Sequence, residues 1–254
     1  MKTDIPQTVY LKDYTPPAFL VDTVDLDFVI ETGSTTVTAT LAVRRNPAVA
    51  AQPLVLDGDE LETLSVAVDG EKWPFSETPT QLTLSDLPGA FTLTTEVRIQ
   101  PDSNTRLSGL YRSKDGYFTQ CEAQGFRRIT WFLDRPDVMS TYTVTLHADK
   151  EKLPVLLANG NPVAAGDEAD GRHWAKWNDP FRKPAYLFAI VAGKLDGLFD
   201  SFTTASGRSV QLAIYVEPGK LDQCPHAMAA LQKSMKWDEE RFGLECDLDH
   251  YMIV

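Results

Sequence analysis

The sequence predicts a mainly β chain, either a β-sandwich or a large curved sheet, followed by one helix. Short stretches rich in β-branched residues recur over the first 190 residues, and their apolar and polar side chains alternate as on half-buried strands. Turn-forming pairs such as Asp69-Gly70 and Pro88-Gly89 separate these stretches. With 43% hydrophobic and 24% charged residues, the 254-residue chain can build a packed core.

We expect strands where this alternation is clearest. They are residues 21–29, 35–45, 54–56, 61–68, 81–84, 91–100, 141–148, 173–177 and 186–191, and two strands within 201–216. The last two are separated by Ser206-Gly207, which is typical of a hairpin turn.

One helix is predicted over residues 225–242. Asp222 can cap its start, Pro225 suits its first turn, and Gly243 stands where a C-terminal cap belongs. One face of this helix carries four apolar residues, which are Met228, Leu231, Met235 and Phe242. We expect this face to pack against a core.

An apolar strand begins at residue 249, and the sequence stops within it. An interrupted strand would expose apolar surface and unpaired backbone groups. We therefore expect a fragment that stops early in a second domain, with a first domain at residues 1–193 and a truncated second domain at 194–254.

Composition excludes several classes of protein. A net charge of −12 without a basic block argues against a nucleic-acid partner, because the polyanion would be repelled. No apolar run reaches the length of a membrane span, and residues 1–6 lack the apolar core of a signal peptide, so we expect a cytoplasmic protein without a membrane partner. Cys121, Cys224 and Cys246 are odd in number and widely spaced, which predicts free thiols.

Motifs for catalysis or metal binding are not found. The four histidines do not occur at metal-ligand spacing, and no His-Glu-x-x-His is present. Cys121 has no histidine beside it in sequence, which makes a nucleophile unexpected. We therefore predict no catalytic residue and no metal ligand within this chain.

One stretch stands out, residues 119–137 (TQCEAQGFRRITWFLDRPD). It combines an acid and two glutamines with three arginines, which are Arg127, Arg128 and Arg135. We expect the arginines to pair with local carboxylates. Glu122 has two interpretations: it forms an ion pair with Arg127 or Arg128, or it projects with Gln120 from one side of an extended segment. In the second case, carboxylate and amide oxygens together would suit a primary ammonium group, which offers three donors and a positive charge.

The same residues resemble a known family. Residues 119–137 are similar to the signature loop of the bacterial aminopeptidase N family, zinc metallopeptidases of the gluzincin group. Residues 236–254 (KWDEERFGLECDLDHYMIV) are similar to the segment that leads into that family's Gly-Ala-Met-Glu-Asn motif. Three shorter matches are Asn159-Gly160-Asn161, Asp179-Pro180-Phe181 and residues 186–189. The sequence departs from the common pattern at Gln124, where Glu is frequent, and at Cys246, where Tyr is frequent.

The resemblance implies an N-terminal β-rich saddle domain, followed by the first strands and helix of a truncated α+β thermolysin-like catalytic domain. It implies that Glu122 binds the substrate's free α-amino group and that Gln120 lines the pocket for the first side chain. The substrates would be peptides with a free N-terminus. Zinc and its ligands would belong to the remainder of the same polypeptide, beyond residue 254, so the chain alone would be inactive.

Two alternatives come from other classes of protein. A non-enzymatic β-sandwich module could bind a carbohydrate or a protein through Trp73, Trp131, Trp174 and Trp177. An adaptor could have lost its peptidase domain. A solvent-exposed, coplanar platform of these indole rings would favour the binding module.

Overall fold

The computed structural model describes Thr8 and residues 10–254, and it is mainly β as predicted. Residues 1–6, on which the prediction about a signal peptide depends, lie outside the described residues. In chain order the described elements are β1 (Phe19–Glu31), β2 (Ser34–Arg45), β3 (Leu54–Asp57), β4 (Glu62–Val68), β5 (Glu71–Lys72), β6 (Ser76–Glu77), β7 (Gln81–Leu84), β8 (Ala90–Ile99), β9 (Gly109–Ser113), β10 (Gly116–Gln120), β11 (Ser140–Asp149), β12 (Val155–Ala158), β13 (Asn161–Asp167), β14 (Arg172–Lys183), β15 (Ile190–Gly193), β16 (Asp196–Thr203), β17 (Ser209–Val216), α1 (Pro225–Phe242) and β18 (His250–Ile253).

The largest layer is an eight-stranded sheet in the order β13-β14-β11-β1-β2-β8-β4-β5. Its central strands show the predicted alternation. In β1, for example, Val24, Leu26 and Phe28 are buried, whereas Asp25 is exposed. Side chains of a strand alternate between the two faces of its sheet, so this pattern places one face on the core. β1 pairs antiparallel with β2 and parallel with β11.

Two smaller sheets cover this core, in the orders β12-β15-β10-β9 and β3-β7-β6. Aromatic rings join the layers. The ring of Phe126 lies 5.1 Å from that of Phe188 and 6.2 Å from that of Tyr142 on β11, and the ring of Phe28 on β1 lies 6.2 Å from Phe188. Phe126 therefore lies in the core between the sheets, together with the buried residues 129–133, so the middle of the stretch that stands out in the sequence is part of the core.

The chain after residue 195 forms a second layer, a sheet in the order β16-β17-β18 with α1 against it. Met228, Leu231 and Met235 are buried there, as predicted. The helix ends at Gly243, which has φ of +67° and donates its N–H to the Glu239 carbonyl at 2.9 Å, so the predicted C-terminal cap is confirmed.

Two predictions about the helix are wrong. Phe242 is 59% exposed, and its ring packs edge-on against Trp237 at 5.3 Å, because the hydrophobic cluster reaches only as far as Met235. Asp222 does not cap the helix, because it lies within a preceding 3-10 turn, and Cys224 occupies the N-cap position without a side-chain bond.

The strand predicted at residues 186–191 is also wrong in its first half. Residues Ala185–Leu187 form a 3-10 turn after Pro184, and β15 begins only at Ile190. Phe188 is apolar because it enters the core beside Phe126, and the local sequence does not distinguish this from a strand position. The predicted strands also do not include β5, β6, β12, β13 or the β9–β10 hairpin.

Buried apolar residues fall into two clusters, one that extends to Ala192 and one that begins at Val210. The predicted domain boundary near residue 193 stays a prediction. All three cysteines are free thiols, as expected. Within the described part of the chain, no helix is both long and apolar enough to cross a membrane.

Candidate functional site

Residues 119–137 begin where β10 separates from β15, while it still pairs with β9. The last ladder pair between β10 and β15 joins Phe118 and Val191. At the next position the Thr119 hydroxyl accepts a hydrogen bond from the Ile190 N–H at 2.9 Å and donates to the Ile190 carbonyl at 3.3 Å. The side chain of Thr119 thus takes over from the backbone ladder and holds the start of the segment against β15.

A tight turn follows. The Gly125 N–H donates to the Cys121 carbonyl at 2.7 Å. A Cβ at residue 125 would lie 2.2 Å from the Gln120 carbonyl oxygen, so only glycine fits there. Cys121 is buried, and burial raises the pKa of its thiol, which disfavours the thiolate that a nucleophile requires.

Gln120 and Glu122 are both exposed, but Gln120 is the last residue of β10, whereas Glu122 lies in the turn. The predicted extended arrangement is therefore wrong, although the two residues do lie together: the Gln120 side-chain amide donates to the Glu122 carbonyl at 3.2 Å. The peptide bond between Glu122 and Ala123 is cis. Among the residues that the structure describes, the Glu122 carboxylate has no hydrogen-bond or ion-pair partner.

Arg127 pairs with Asp134 and not with Glu122. Its Nε donates to Asp134 Oδ2 at 2.9 Å, and its Nη2 donates to the Asp134 carbonyl at 3.0 Å. The backbone N–H of Arg127 also reaches Asp134 Oδ2, at 3.2 Å. Asp134 is only 4% exposed, so its charge needs these donors.

Arg128 is buried and pairs with a different loop. Its two Nη atoms donate to the carboxylates of Asp59 and Glu60, and its Nε donates to the Ser108 carbonyl at 3.1 Å. The interpretation of Glu122 as an ion-pair partner of Arg127 or Arg128 is therefore wrong. The expectation that the arginines pair with local carboxylates is confirmed.

Arg135 completes the pattern at the far end of the segment. Its guanidinium donates to both carboxylate oxygens of Asp137, at 2.9 and 2.7 Å, and to the Thr15 carbonyl at 2.7 Å. The Tyr14 hydroxyl donates to Asp137 at 3.0 Å. The segment is thus anchored to the beginning of the described chain.

The middle of the segment is apolar and buried. Phe132 exchanges two backbone hydrogen bonds with Asp57 of β3, at 2.8 and 3.1 Å. Trp131 is 1% exposed, and its indole N–H donates to the Thr63 hydroxyl at 2.8 Å. These contacts fix the segment to the β3–β4 region of the fold.

Sequence reasoning missed the acidic partners of the arginines. Asp57-Gly58-Asp59 has the composition of a turn, yet Asp57 and Asp59, together with Glu60, face Arg127 and Arg128. The signal available in the sequence was the run of acids Asp57, Asp59 and Glu60, which complements the basic pair in a different stretch.

The tryptophans do not form the platform that a carbohydrate-binding module would need. Trp131 and Trp177 are buried, at 1% and 7% exposure, and the indole N–H of each is bonded inside the protein. Trp73 and Trp174 are only half-buried. Among the described residues, no group of three or more His, Cys, Asp or Glu side chains is placed to hold a metal ion.

Replacement of the buried Arg128 should destabilise the fold. We expect Arg128→Met to lower the free energy of unfolding by about 2 kcal/mol, because Asp59, Glu60 and the Ser108 carbonyl lose their shared donor, although the two acids can regain some water. Urea denaturation checks this. In the matched control Arg98→Met, an exposed pair with Glu62 at 2.8 Å is lost, and we expect less than about 0.5 kcal/mol. Equal losses for the two variants would contradict the role given to Arg128.

Asp57 and Asp137 should respond to pH in opposite senses. Burial raises the pKa of Asp57, so its charged form opposes folding, whereas the Arg135 hydrogen bond lowers the pKa of Asp137, so its charged form favours folding. At pH 7 we expect Asp57→Asn to raise the free energy of unfolding and Asp137→Asn to lower it.

Both differences should vanish in acid. The gain at Asp57 should disappear as pH falls from its raised folded-state pKa to the unfolded value of about 4. The loss at Asp137 should disappear as pH falls from about 4 through its lowered folded-state pKa. Urea midpoints between pH 3 and 7 measure both, and a stability loss at pH 7 for Asp57→Asn would show that its 3.6 Å contact with Arg127 outweighs burial.

Comparison with known proteins places this geometry in a family. Residues 20–187 match the family described as Peptidase M1 N-terminal domain. The chain is 51% identical to aminopeptidase N of Escherichia coli K12 over 99% of its own length, and 51% identical to aminopeptidase N of Caulobacter vibrioides over all of it. It spans only 29% and 30% of those two relatives.

A solved structure agrees with the sequence relatives. Legionella pneumophila aminopeptidase A, described as a complex with aspartic acid, superimposes with a TM-score of 0.90 at 33% identity. The match covers 95% of this chain and 29% of the Legionella chain. The resemblance stated from residues 119–137 is therefore confirmed, and the chain belongs to the peptidase M1 family as an N-terminal region of the aminopeptidase N type.

Proposed function

We propose that the chain is the N-terminal part of a zinc-dependent aminopeptidase that removes the first residue of peptides. Within it, Glu122 binds the α-ammonium group of the substrate, and Gln120 lines the pocket for the first side chain. The observation that carries the proposal is the state of Glu122: an exposed carboxylate on a tightly held turn, with no partner among the described residues, although three arginines lie within thirteen residues of it.

The chemistry of the turn suits an ammonium group. A carboxylate accepts charge-assisted hydrogen bonds, which are stronger than bonds between neutral groups. Gln120 uses an amide N–H to hold the Glu122 carbonyl, so the acceptor oxygen of its side chain stays available beside Glu122. Since Arg127, Arg128 and Arg135 are satisfied by other acids, no positive side chain of this segment competes for the site.

The activity of the relatives and the ligand of the solved structure support the proposal. The Escherichia coli and Caulobacter proteins are aminopeptidases, and the Legionella structure contains aspartic acid, an amino acid with a free α-amino group. We extend to this chain their substrate class, peptides with a free N-terminus, and propose a cytoplasmic location.

The described residues do not fit a zinc site, since no suitable cluster of ligands is present among them. In our proposal the metal and the groups that act on the peptide bond therefore belong to the remainder of a longer polypeptide. The contribution of this chain is to bind the amino terminus and hold it in register, and orientation of this kind can supply much of an enzyme's rate.

Removal of the carboxylate should weaken substrate binding. In the full-length aminopeptidase that carries this chain, we expect Glu122→Ala to raise KM for an aminoacyl-p-nitroanilide by about 10- to 100-fold, the loss of one or two charge-assisted hydrogen bonds. Discrimination between a substrate with a free amine and its N-acetylated form should fall by a similar factor. Gln124→Ala, at another exposed residue of the same turn, serves as the control and should change KM by less than about 2-fold. Unchanged kinetics for Glu122→Ala would refute the assignment.

The 254-residue chain by itself should release no N-terminal amino acids, with or without added zinc, because the described residues offer no cluster of metal ligands. Incubation of the purified chain with leucyl-p-nitroanilide at increasing zinc concentrations checks this. Zinc-dependent turnover that survives further purification would place a reacting centre within the chain and overturn the proposed division of labour.

A further inference from the structure

We infer that Asn159-Gly160-Asn161 is a positioning loop, which holds the turn with Glu122 in register with β18. The inference rests on the function proposed above, because it explains how the amine-binding turn keeps its distance from whatever follows β18. The loop connects β12 to β13, and its two asparagine side chains bond in opposite directions.

The loop lies at the end of the sheet that carries the turn. Ala158, the last residue of β12, pairs with Ile190 of β15, and Ile190 exchanges two hydrogen bonds with the Thr119 hydroxyl, donating one and accepting the other. Beyond this row β15 has no further ladder pair with β12 or β10. Asn159, just after β12, and Gln120, the last residue of β10, occupy the next position on either side of the chain that enters β15.

Asn159 binds the chain that enters β15. Its Oδ1 accepts a hydrogen bond from the Ala189 N–H at 2.6 Å, and its Nδ2 donates to the Leu187 carbonyl at 3.1 Å. Residues 187–189 have no ladder partner of their own in the row beyond the sheet. The side chain of Asn159 thus fixes the approach to Ile190, and through Ile190 the position of Thr119.

Asn161 binds the second layer of the protein. Its Oδ1 accepts a hydrogen bond from the Asp249 N–H at 2.9 Å, and its Nδ2 donates to the Asp249 carboxylate at 3.3 Å. Asp249 immediately precedes β18, and its carbonyl accepts from Gln211 of β17 at 2.8 Å. Asn161, the first residue of β13 in the eight-stranded sheet, therefore joins the loop to the start of β18.

Gly160 makes the distance between the two asparagines rigid. It has φ of +90°, and a Cβ there would lie 2.2 Å from the Asn178 carbonyl oxygen of β14. The loop backbone is therefore packed against the large sheet. A cleft of about 290 Å³ lies beside it, lined by Asn159 and Ile190 together with Tyr251 and Met252.

Hydrogen bonds and the covalent chain together form a continuous path. Its residues, in order, are Glu122, Gln120, Thr119, Ile190, Ala189, Asn159, Gly160, Asn161 and Asp249. A substrate held by its amine must meet the reacting groups within a small tolerance, and errors on the order of 1 Å reduce rates strongly. Loss of Asn161 should therefore impair turnover without damaging the amine-binding turn itself.

The test compares Asn161→Ala with Asn46→Ala in the full-length aminopeptidase. Asn46 is a matched control, since its side chain also makes two bonds, to the Pro17 carbonyl at 2.8 Å and from the Ala48 N–H at 3.1 Å, but it lies far from the loop in sequence and joins different segments. For Asn161→Ala we expect kcat/KM to fall about 10-fold, with inhibition by n-butylamine, which engages only the amine-binding turn, unchanged within about 2-fold. Amide hydrogen exchange at residues 249–253 should accelerate by about 10-fold.

A double-mutant cycle identifies the route of the effect. If the loop acts through the register of Glu122, Asn161→Ala should cost less than about 2-fold in a Glu122→Ala background. Full additivity would overturn the inference, as would equal effects of Asn161→Ala and Asn46→Ala. The exchanged pair Asn161→Asp with Asp249→Asn retains both hydrogen bonds and should restore kcat/KM, which covers the case that Asn161→Ala fails to fold.

The two proposals fail separately. If Glu122→Ala alone leaves kinetics unchanged, the amine-binding function is wrong, whatever the loop does. If Glu122→Ala raises KM but Asn161→Ala changes neither turnover nor exchange at residues 249–253, the function stands and the positioning role is wrong.

Discussion

The buried guanidinium of Arg128 is the interaction on which the candidate site depends. A charge that is 8% exposed must be paired, because burial without partners costs far more than any single contact can return. Its partners come from two distant stretches: Asp59 and Glu60 follow β3, and the Ser108 carbonyl precedes β9. The need to satisfy one side chain therefore brings three parts of the chain together, directly beside the turn that carries Glu122.

This arrangement leaves Glu122 available. Each arginine of the segment is neutralised by another acid, so the positive charge that would otherwise draw in Glu122 is already used. The chain as a whole carries a net charge of −12, which favours the approach of a cation over that of an anion. An exposed acid among satisfied arginines is a poor candidate for a structural ion pair, and this supports the proposed role of Glu122 in binding an ammonium ion.

Periodicity predicted the regular parts of the fold because burial there follows the local repeat. The alternation in β1 and the Met228, Leu231 and Met235 face of α1 needed no knowledge of distant residues. The errors arose where a distant contact decides the outcome. Phe188 has the apolar character of a strand residue, but it enters the core beside Phe126. The turn after Gln120 depends on the close approach of Gly125 to the Gln120 carbonyl, which local propensity does not reveal. The resemblance of a long motif to a known family identified Glu122 and Gln120 as candidate site residues, whereas their relative geometry required the structure.

The turn with Glu122 and the connection from the loop to β18, which together would set the proposed register, are held by different interactions. The turn with Glu122 is fixed from one side by buried charge and aromatic packing, which resist displacement. The connection to β18 depends on the exposed bonds between Asn161 and Asp249 and on the partly buried Tyr215 and Met252, which pack against the first cluster. Exposed hydrogen bonds contribute only about 1 kcal/mol each, so the second connection is the weaker one. In the proposed function, adjustment of the distance between the amine and the reacting groups should therefore occur at the contact between Asn161 and Asp249, while the loop and the amine-binding turn stay unchanged.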